Sequence, residues 1–149
     1  MNLLLDTNIL ICFAKHRTPQ LLMQKINPTG VKVFVTIVSI AEAKSIALKN
    51  NWGIRKRQTL ISLLDQLIVV DIDESLVDTY AEIDAYSQCR NPSYSNYPFV
   101  TSRNMGKNDL WIASTAALLG LRLLTTDADF NHLHQVFLEV QYLKPEVLK

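Results

Sequence analysis

Short apolar runs that each stop at a hydroxyl or carboxylate residue constrain this chain more than any other feature. Leu3-Leu4-Leu5 ends at Asp6-Thr7-Asn8. Val31 to Val38 is rich in β-branched residues and ends at Ser39. Ile68-Val69-Val70 stops at Asp71, and Leu121 to Thr125 stops at Thr126-Asp127. Leu138 to Leu143 is a fifth candidate. Runs of this length suit strands covered on both faces, although periodicity alone does not separate them from buried helix. Helical patterns lie between them. Leu60, Leu63, Leu64 and Leu67 recur at i, i+3, i+4 and i+7; Leu76, Tyr80 and Ile83 form a second stripe; Leu110 to Leu119 is apolar nearly all round, which marks a central helix. Alternating strand and helix predicts an α/β fold, a mainly parallel sheet of about five strands flanked by helices.

The length of 149 residues leads us to expect one domain, 1–149, and no repeat or low-complexity tract divides it. Hydrophobic residues at 48% and charged residues at 19% exclude a disordered or fibrous chain. No stretch reaches the roughly 18 apolar residues that a membrane span requires. The opening segment meets Asp6 too early for a signal peptide, so a cytoplasmic protein is expected. Cys12 and Cys89 fit no metal-ligand spacing and read as packed, reduced thiols. His132 and His134 are two apart and make a poor chelate; surface or loop roles are expected for both.

In a parallel α/β sheet, strand C-termini and the N-termini of the following helices share one edge. Asp6 and Asp127 stand where the first and fourth strands end, with Asp129 two residues on. Glu42 falls in the first turn of the helix after the second strand, and Asp109 opens the helix that leads into the fourth. Four acids from distant parts of the chain are therefore expected on one rim. Plainer readings exist. Ser39-Ile40-Ala41-Glu42 fits a capping box. Asp6-Thr7-Asn8 fits a turn and cap, and Asp127-Ala128-Asp129 the cap of a short helix. Asp109 resists such a reading: Ile112, Ala113 and Ala116 share its face, and Asn108 is already a competent cap. A carboxylate on an inward stripe needs a partner.

A cation is the economical partner. Two carboxylates about 5 Å apart repel by roughly 3 kcal/mol at an effective dielectric of about 20. A hard divalent ion with oxygen ligands relieves that repulsion, and magnesium or manganese suits such a donor set. With it, the available chemistry is phosphodiester hydrolysis.

The motifs resemble a known family. Leu3-Leu4-Leu5-Asp6-Thr7-Asn8-Ile9-Leu10-Ile11 resembles the opening strand and first acid of PIN-domain ribonucleases, most of all the VapC-type toxins of bacterial toxin–antitoxin pairs. Ser39-Ile40-Ala41-Glu42 is similar to their second acidic motif, Asn108-Asp109-Leu110-Trp111-Ile112-Ala113-Ser114-Thr115-Ala116 to their third, and Leu124-Thr125-Thr126-Asp127-Ala128-Asp129-Phe130 to their fourth. The four stand in the family's order along nearly the whole chain. The resemblance implies a PIN-like fold, Asp6, Glu42, Asp109 and Asp127 as metal-binding catalytic acids, and Asp129 as a fifth acid or an alternative to Asp127. It implies that Thr7, Asn8 and Thr125 orient carboxylates or water. It further implies an RNA substrate, magnesium or manganese as cofactor, a homodimer, and a cognate antitoxin protein as partner.

Asn91 to Gly106 reads as a loop longer than the family's usual connection before the third motif. Loops of that length in compact domains are functional or mobile. Tyr94 and Tyr97 within it could stack unpaired bases or anchor the loop. The chain carries 15 Lys and Arg against 14 Asp and Glu; with the four site acids set aside, 15 face 10, a balance of +5 suited to phosphates. Arg103 and Lys107 flank Asp109 and are the candidate RNA contacts. Lys15-His16-Arg17 is another basic group, and Arg55-Lys56-Arg57 reads as a solvated helix face.

Three other functions compete. A catalytically inactive PIN-like module that binds RNA or protein is disfavoured by the presence of all four acids. A haloacid-dehalogenase-type phosphatase wants a second acid two residues after the first, where this chain has Asn8. A nucleotide-binding domain wants a glycine-rich phosphate loop, and the chain has four glycines in no such pattern.

Overall fold

The computed structural model describes residues 1–149. In chain order the elements are β1 (Leu3–Leu5), α1 (Thr7–Lys15), α2 (Pro19–Ile26), β2 (Val33–Thr36), α3 (Ile37–Lys49), α4 (Ile54–Asp65), β3 (Ile68–Val70), α5 (Val77–Ser87), α6 (Lys107–Leu119), β4 (Arg122–Thr125) and β5 (Glu139–Tyr142), with short 3-10 turns at Glu74–Leu76, Ala128–Leu133 and Pro145–Leu148. The strands form one five-stranded sheet in the order β3-β2-β1-β4-β5, and every adjacent pair is parallel. The expected α/β architecture is thus the observed one. No helix is long and apolar enough to cross a membrane.

Strand alternation builds two cores. Leu3 and Leu5 of β1 face the side shared with Val33, Val35 and Leu124, where α1, α2, α3 and α4 pack. Leu4 faces the other side with Leu123 and Val140, against α5 and α6. The register fits: Leu4 pairs with Leu123, and Leu5 with Leu124. Successive side chains of one strand therefore feed opposite layers, which is why Leu3-Leu4-Leu5 and Leu123-Leu124 are apolar without alternation. β3 departs from that expectation. Ile68 and Val69 are 43% and 46% exposed, because β3 is an edge strand paired only with β2.

The helix boundaries correct three readings of the sequence. The run Val31 to Val38 is not all strand: β2 ends at Thr36, whose hydroxyl accepts the Ser39 N–H and caps α3. The capping box at Ser39 and Glu42 therefore does not form, and Glu42 lies in the second turn of α3. Asn108 is likewise not a cap. Gly106 holds that position with extended backbone, and Asp109 is the third residue of α6. α6 ends at Gly120, which adopts the left-handed conformation (φ 65°) that a Cβ would disfavour.

Residues 91–106 form no helix or strand, yet they are well anchored. The buried Asn91 donates to the Glu82 carbonyl at 3.1 Å and to its carboxylate at 2.7 Å, and it accepts the Ser93 N–H at 3.0 Å. Tyr97 donates its hydroxyl to the Asn91 carbonyl at 2.9 Å. Tyr94, Tyr97 and Phe99 close around the buried Tyr86 ring at centroid distances of 4.7, 5.3 and 5.5 Å. Both tyrosines thus anchor the loop.

Candidate active site

A continuous run of hydrogen bonds joins three of the acidic motifs at the C-terminal edge of the sheet. The Asp129 N–H donates to Asp127 Oδ1 at 2.9 Å. The Asp127 N–H donates to Thr125 Oγ1 at 2.9 Å. That hydroxyl donates to Asp6 Oδ2 at 2.6 Å, while Asp6 Oδ1 accepts the Thr7 N–H at 2.8 Å. The Thr7 hydroxyl donates to Glu42 Oε1 at 2.8 Å and lies 3.1 Å from the Ser39 hydroxyl. Every bridging group comes from a strand end or the first turn after it. β1 and β4 are adjacent, so Asp6 and Thr125 meet although 119 residues separate them.

The plain roles suggested for two of these acids are also filled. Asp6 caps α1 and Asp127 caps the turn Ala128–Leu133. Capping and site placement are compatible here, because a cap at a strand's C-terminal end is at the rim. Each Asp6 oxygen accepts one hydrogen bond and keeps a further lone pair.

Asp109 approaches from α6 and joins no hydrogen bond of this run. Its coupling to the others is electrostatic. Its carboxyl is pushed up to about 7, first by burial and then by the charges of Asp6, Asp127, Glu42 and Asp129. Burial also raises the Asp6 carboxyl; Thr125 and Thr7 oppose that by hydrogen bonding, and Asp127 and Glu42 add to it. All four motifs thus share one field. Glu42, Gly106, Lys107, Asn108 and Asp109 line a cavity of about 410 Å³ that has no hydrophobic lining residue. The carboxylates are not drawn into a finished coordination shell: no three Asp, Glu, His or Cys side chains are grouped to hold an ion.

The remaining sequence candidates are placed as follows. Asn8 is exposed and makes no hydrogen bond to the acids. Lys107 shares the cavity of Asp109 and Glu42, whereas Arg103 lies on the loop with its guanidinium 5.5 Å from the Phe99 ring centre. Lys15, His16 and Arg17 sit at the far end of α1 from the rim. Arg55 and Arg57 are exposed on α4, and Lys56 lies 5.9 Å over the Trp52 ring.

Two features escaped the sequence reading. Thr36 supports the second motif from below, as cap of α3 and neighbour of Ser39 at 3.3 Å. A hydroxyl residue at the start of an apolar helical stripe was the available signal. His132 is half-buried in the turn 128–133 rather than free on the surface: its Nε2 is hydrogen-bonded to the buried Ser87 hydroxyl at 2.7 Å, and its ring stacks on Tyr86. Burial and the nearby Arg103 charge hold the His132 imidazole below its ordinary range. His134 accepts the Val140 N–H at 2.9 Å. Neither histidine hydrogen-bonds a site carboxylate, although the Asp129 backbone and charge act on the His132 ring.

The fold and the acidic rim define a PIN domain. The PIN domain family model matches residues 3–135, and the chain belongs to that family. No curated protein matches the sequence. Among solved structures, the chain is similar to VapBC2 from Rickettsia felis bound to a DNA fragment from its promoter, at 17% identity and a TM-score of 0.74, covering 97% of this chain and 100% of that one. It is also similar to VapBC-1 from nontypeable Haemophilus influenzae, at 22% identity and 0.68, covering 95% and 98%. VapBC-5 from Mycobacterium tuberculosis, a member of the VapBC toxin–antitoxin family, gives 22% and 0.61, covering 95% and 98%. At these identities the likeness is one of fold.

Proposed function

We propose that this protein is a metal-dependent endoribonuclease, the toxin of a toxin–antitoxin pair, which hydrolyses RNA phosphodiester bonds. One observation carries the reading: Asp6, Glu42 and Asp127 are joined through Thr125 and Thr7 at one rim, and Asp109 beside them has its carboxyl raised to about 7, first by burial and then by the charges of these acids. Carboxylates gathered at one rim, two of them raised by burial and by their neighbours' charge, form a donor set for a cation. The set is all oxygen, which fits magnesium or manganese and excludes a thiolate or imidazole site.

Asp6, Glu42, Asp109 and Asp127 would hold the ion. When bound, it supplies the positive charge that polarises a phosphoryl oxygen and stabilises the leaving oxygen. The chain's own groups do the rest. Thr125 and Thr7 hold both Asp6 oxygens in fixed directions, and their hydrogen bonds favour its ionised form. Thr7 fixes Glu42 in the same way. Lys107, on the wall of the Asp109 cavity, offers an ammonium to a substrate phosphate.

The toxin assignment rests on the similar folds, which belong to proteins described as VapBC complexes. It brings with it a cognate antitoxin protein and a homodimer. Incubation of the purified protein with single-stranded RNA tests the enzymatic reading. Cleavage with magnesium or manganese, and none with chelator or with Asp6→Asn, is expected. RNA binding without cleavage at millimolar metal would instead make the chain an inactive PIN-like module.

A further inference from the structure

Beside the acidic rim lies a second, smaller cavity of about 140 Å³, lined by Ser102, Arg103, Asn104, Met105 and Asp129. Its opposite charges face one space without meeting: the only ion pair of 4 Å or less in the molecule is His134 with Glu139. The Arg103 guanidinium is laid against the Phe99 ring, which leaves its N–H edge free. Asp129 accepts no hydrogen bond through its own carboxylate, although its backbone N–H is used by Asp127. Asn104 accepts from the Gln88 side chain at 2.9 Å through Oδ1, which leaves its amide N–H groups to donate.

The wall is also held in place. The Arg103 N–H donates to the Ser87 carbonyl at 2.7 Å, Ser102 donates its hydroxyl to the Gln88 carbonyl at 3.2 Å, and the Met105 sulfur receives the Ser87 hydroxyl at 3.5 Å. The backbone that carries Arg103 is thus held, its guanidinium lies 5.5 Å from the Phe99 ring centre, and it lines one cavity with a carboxylate, Asp129, that is close enough to the rim to act on Asp109.

We infer that this cavity is a guanine subsite for the nucleotide beside the scissile bond, with Arg103 donating to O6 and N7 and Asp129 accepting from N1–H and the N2 amino group. The inference rests on the ribonuclease reading of the rim. Phosphate fits the cavity less well, because it would meet the Asp129 carboxylate. Among the bases, guanine presents two acceptors on one edge and two donors on the next. Adenine offers no O6 and no N1–H; cytosine and uracil lack the second ring that spans the two groups. Asp129 then faces substrate, and Asp127 is the fourth acid of the rim.

The test is titration of the full chain, in chelator, with GMP, AMP, CMP, UMP and inorganic phosphate, read by backbone amide shifts. GMP should bind about 5- to 150-fold tighter than the others, with shifts centred on residues 102–105 and 129. Arg103→Lys keeps the charge and loses the fork; Asp129→Asn loses the charged acceptor. Each should remove most of that preference, with melting temperature as the control for folding. Equal binding of the four nucleotides, phosphate competing as well as GMP, or a preference unchanged in both variants overturns the subsite. Selective GMP binding by a protein that cleaves no RNA would keep the subsite and remove the nuclease reading. Cleavage at all bases alike would keep the nuclease and remove the subsite.

Discussion

Thr125 donates its hydroxyl to Asp6 Oδ2 at 2.6 Å and accepts the Asp127 N–H on its own Oγ1 at 2.9 Å, so one side chain ties the ends of two adjacent strands to both of their acids. A hydroxyl that is fully buried and doubly hydrogen-bonded is costly to lose. Thr125→Val keeps the shape and leaves Asp6 short of a donor. Metal affinity should fall about 10- to 100-fold, the usual effect of removing a group that orients a ligand. Isothermal titration with manganese measures it; an unchanged affinity would detach Thr125 from the site.

The raised Asp109 carboxyl makes a prediction for pH. Its folded value is about 7 against an ordinary 3.8, so the folded state holds a proton that the unfolded state has released. That stabilisation is complete below about 4 and is lost as pH rises to about 7 and beyond. Asp6, also raised, acts in the same direction. In chelator the melting temperature should therefore fall between pH 5.5 and pH 8. Asp109→Asn should flatten this fall, and millimolar magnesium at pH 8 should reverse it through binding to the native state. A metal-free melting temperature that rises over this range would contradict the shared field.

Asn91 anchors the long loop from its buried position. Asn91→Ala removes its side-chain bonds to Glu82 and Ser93. The expected loss is about 1–3 kcal/mol of unfolding free energy, measured by urea denaturation. Hydrogen exchange should quicken across residues 91–106 and leave β1 and β4 unchanged. A stability equal to that of the native chain would mean that the aromatic cluster alone holds the loop.

Much of this layout was legible in the residues. β1 (Leu3-Leu4-Leu5) and the Leu123-Leu124 centre of β4 are apolar without alternation because each feeds two cores, so their ends, and with them Asp6 and Asp127, could be placed. Asp109 stood out because it shares a helix face with the apolar Ile112, Ala113 and Ala116, all of which the fold buries fully. The start of α3 was not legible: Ile37 and Val38 are β-branched and continue the strand pattern, while the helix is started by a side-chain bond from Thr36. α2 is short, and Pro19 at its first turn was its main local sign. The packing of Tyr94, Tyr97, Phe99 and His132 around Tyr86 joins α5, the loop and the turn at 128–133, and no local pattern encodes such a meeting.

The most direct measurement is a manganese titration of the purified protein followed by electron paramagnetic resonance, comparing the native chain with Asp109→Asn. The native chain should bind manganese in competition with magnesium, and Asp109→Asn should bind at least about 10-fold more weakly while remaining folded. Equal manganese affinity in the two proteins would show that Asp109 shares no ion with Asp6, and the metal-dependent account of the rim would be wrong.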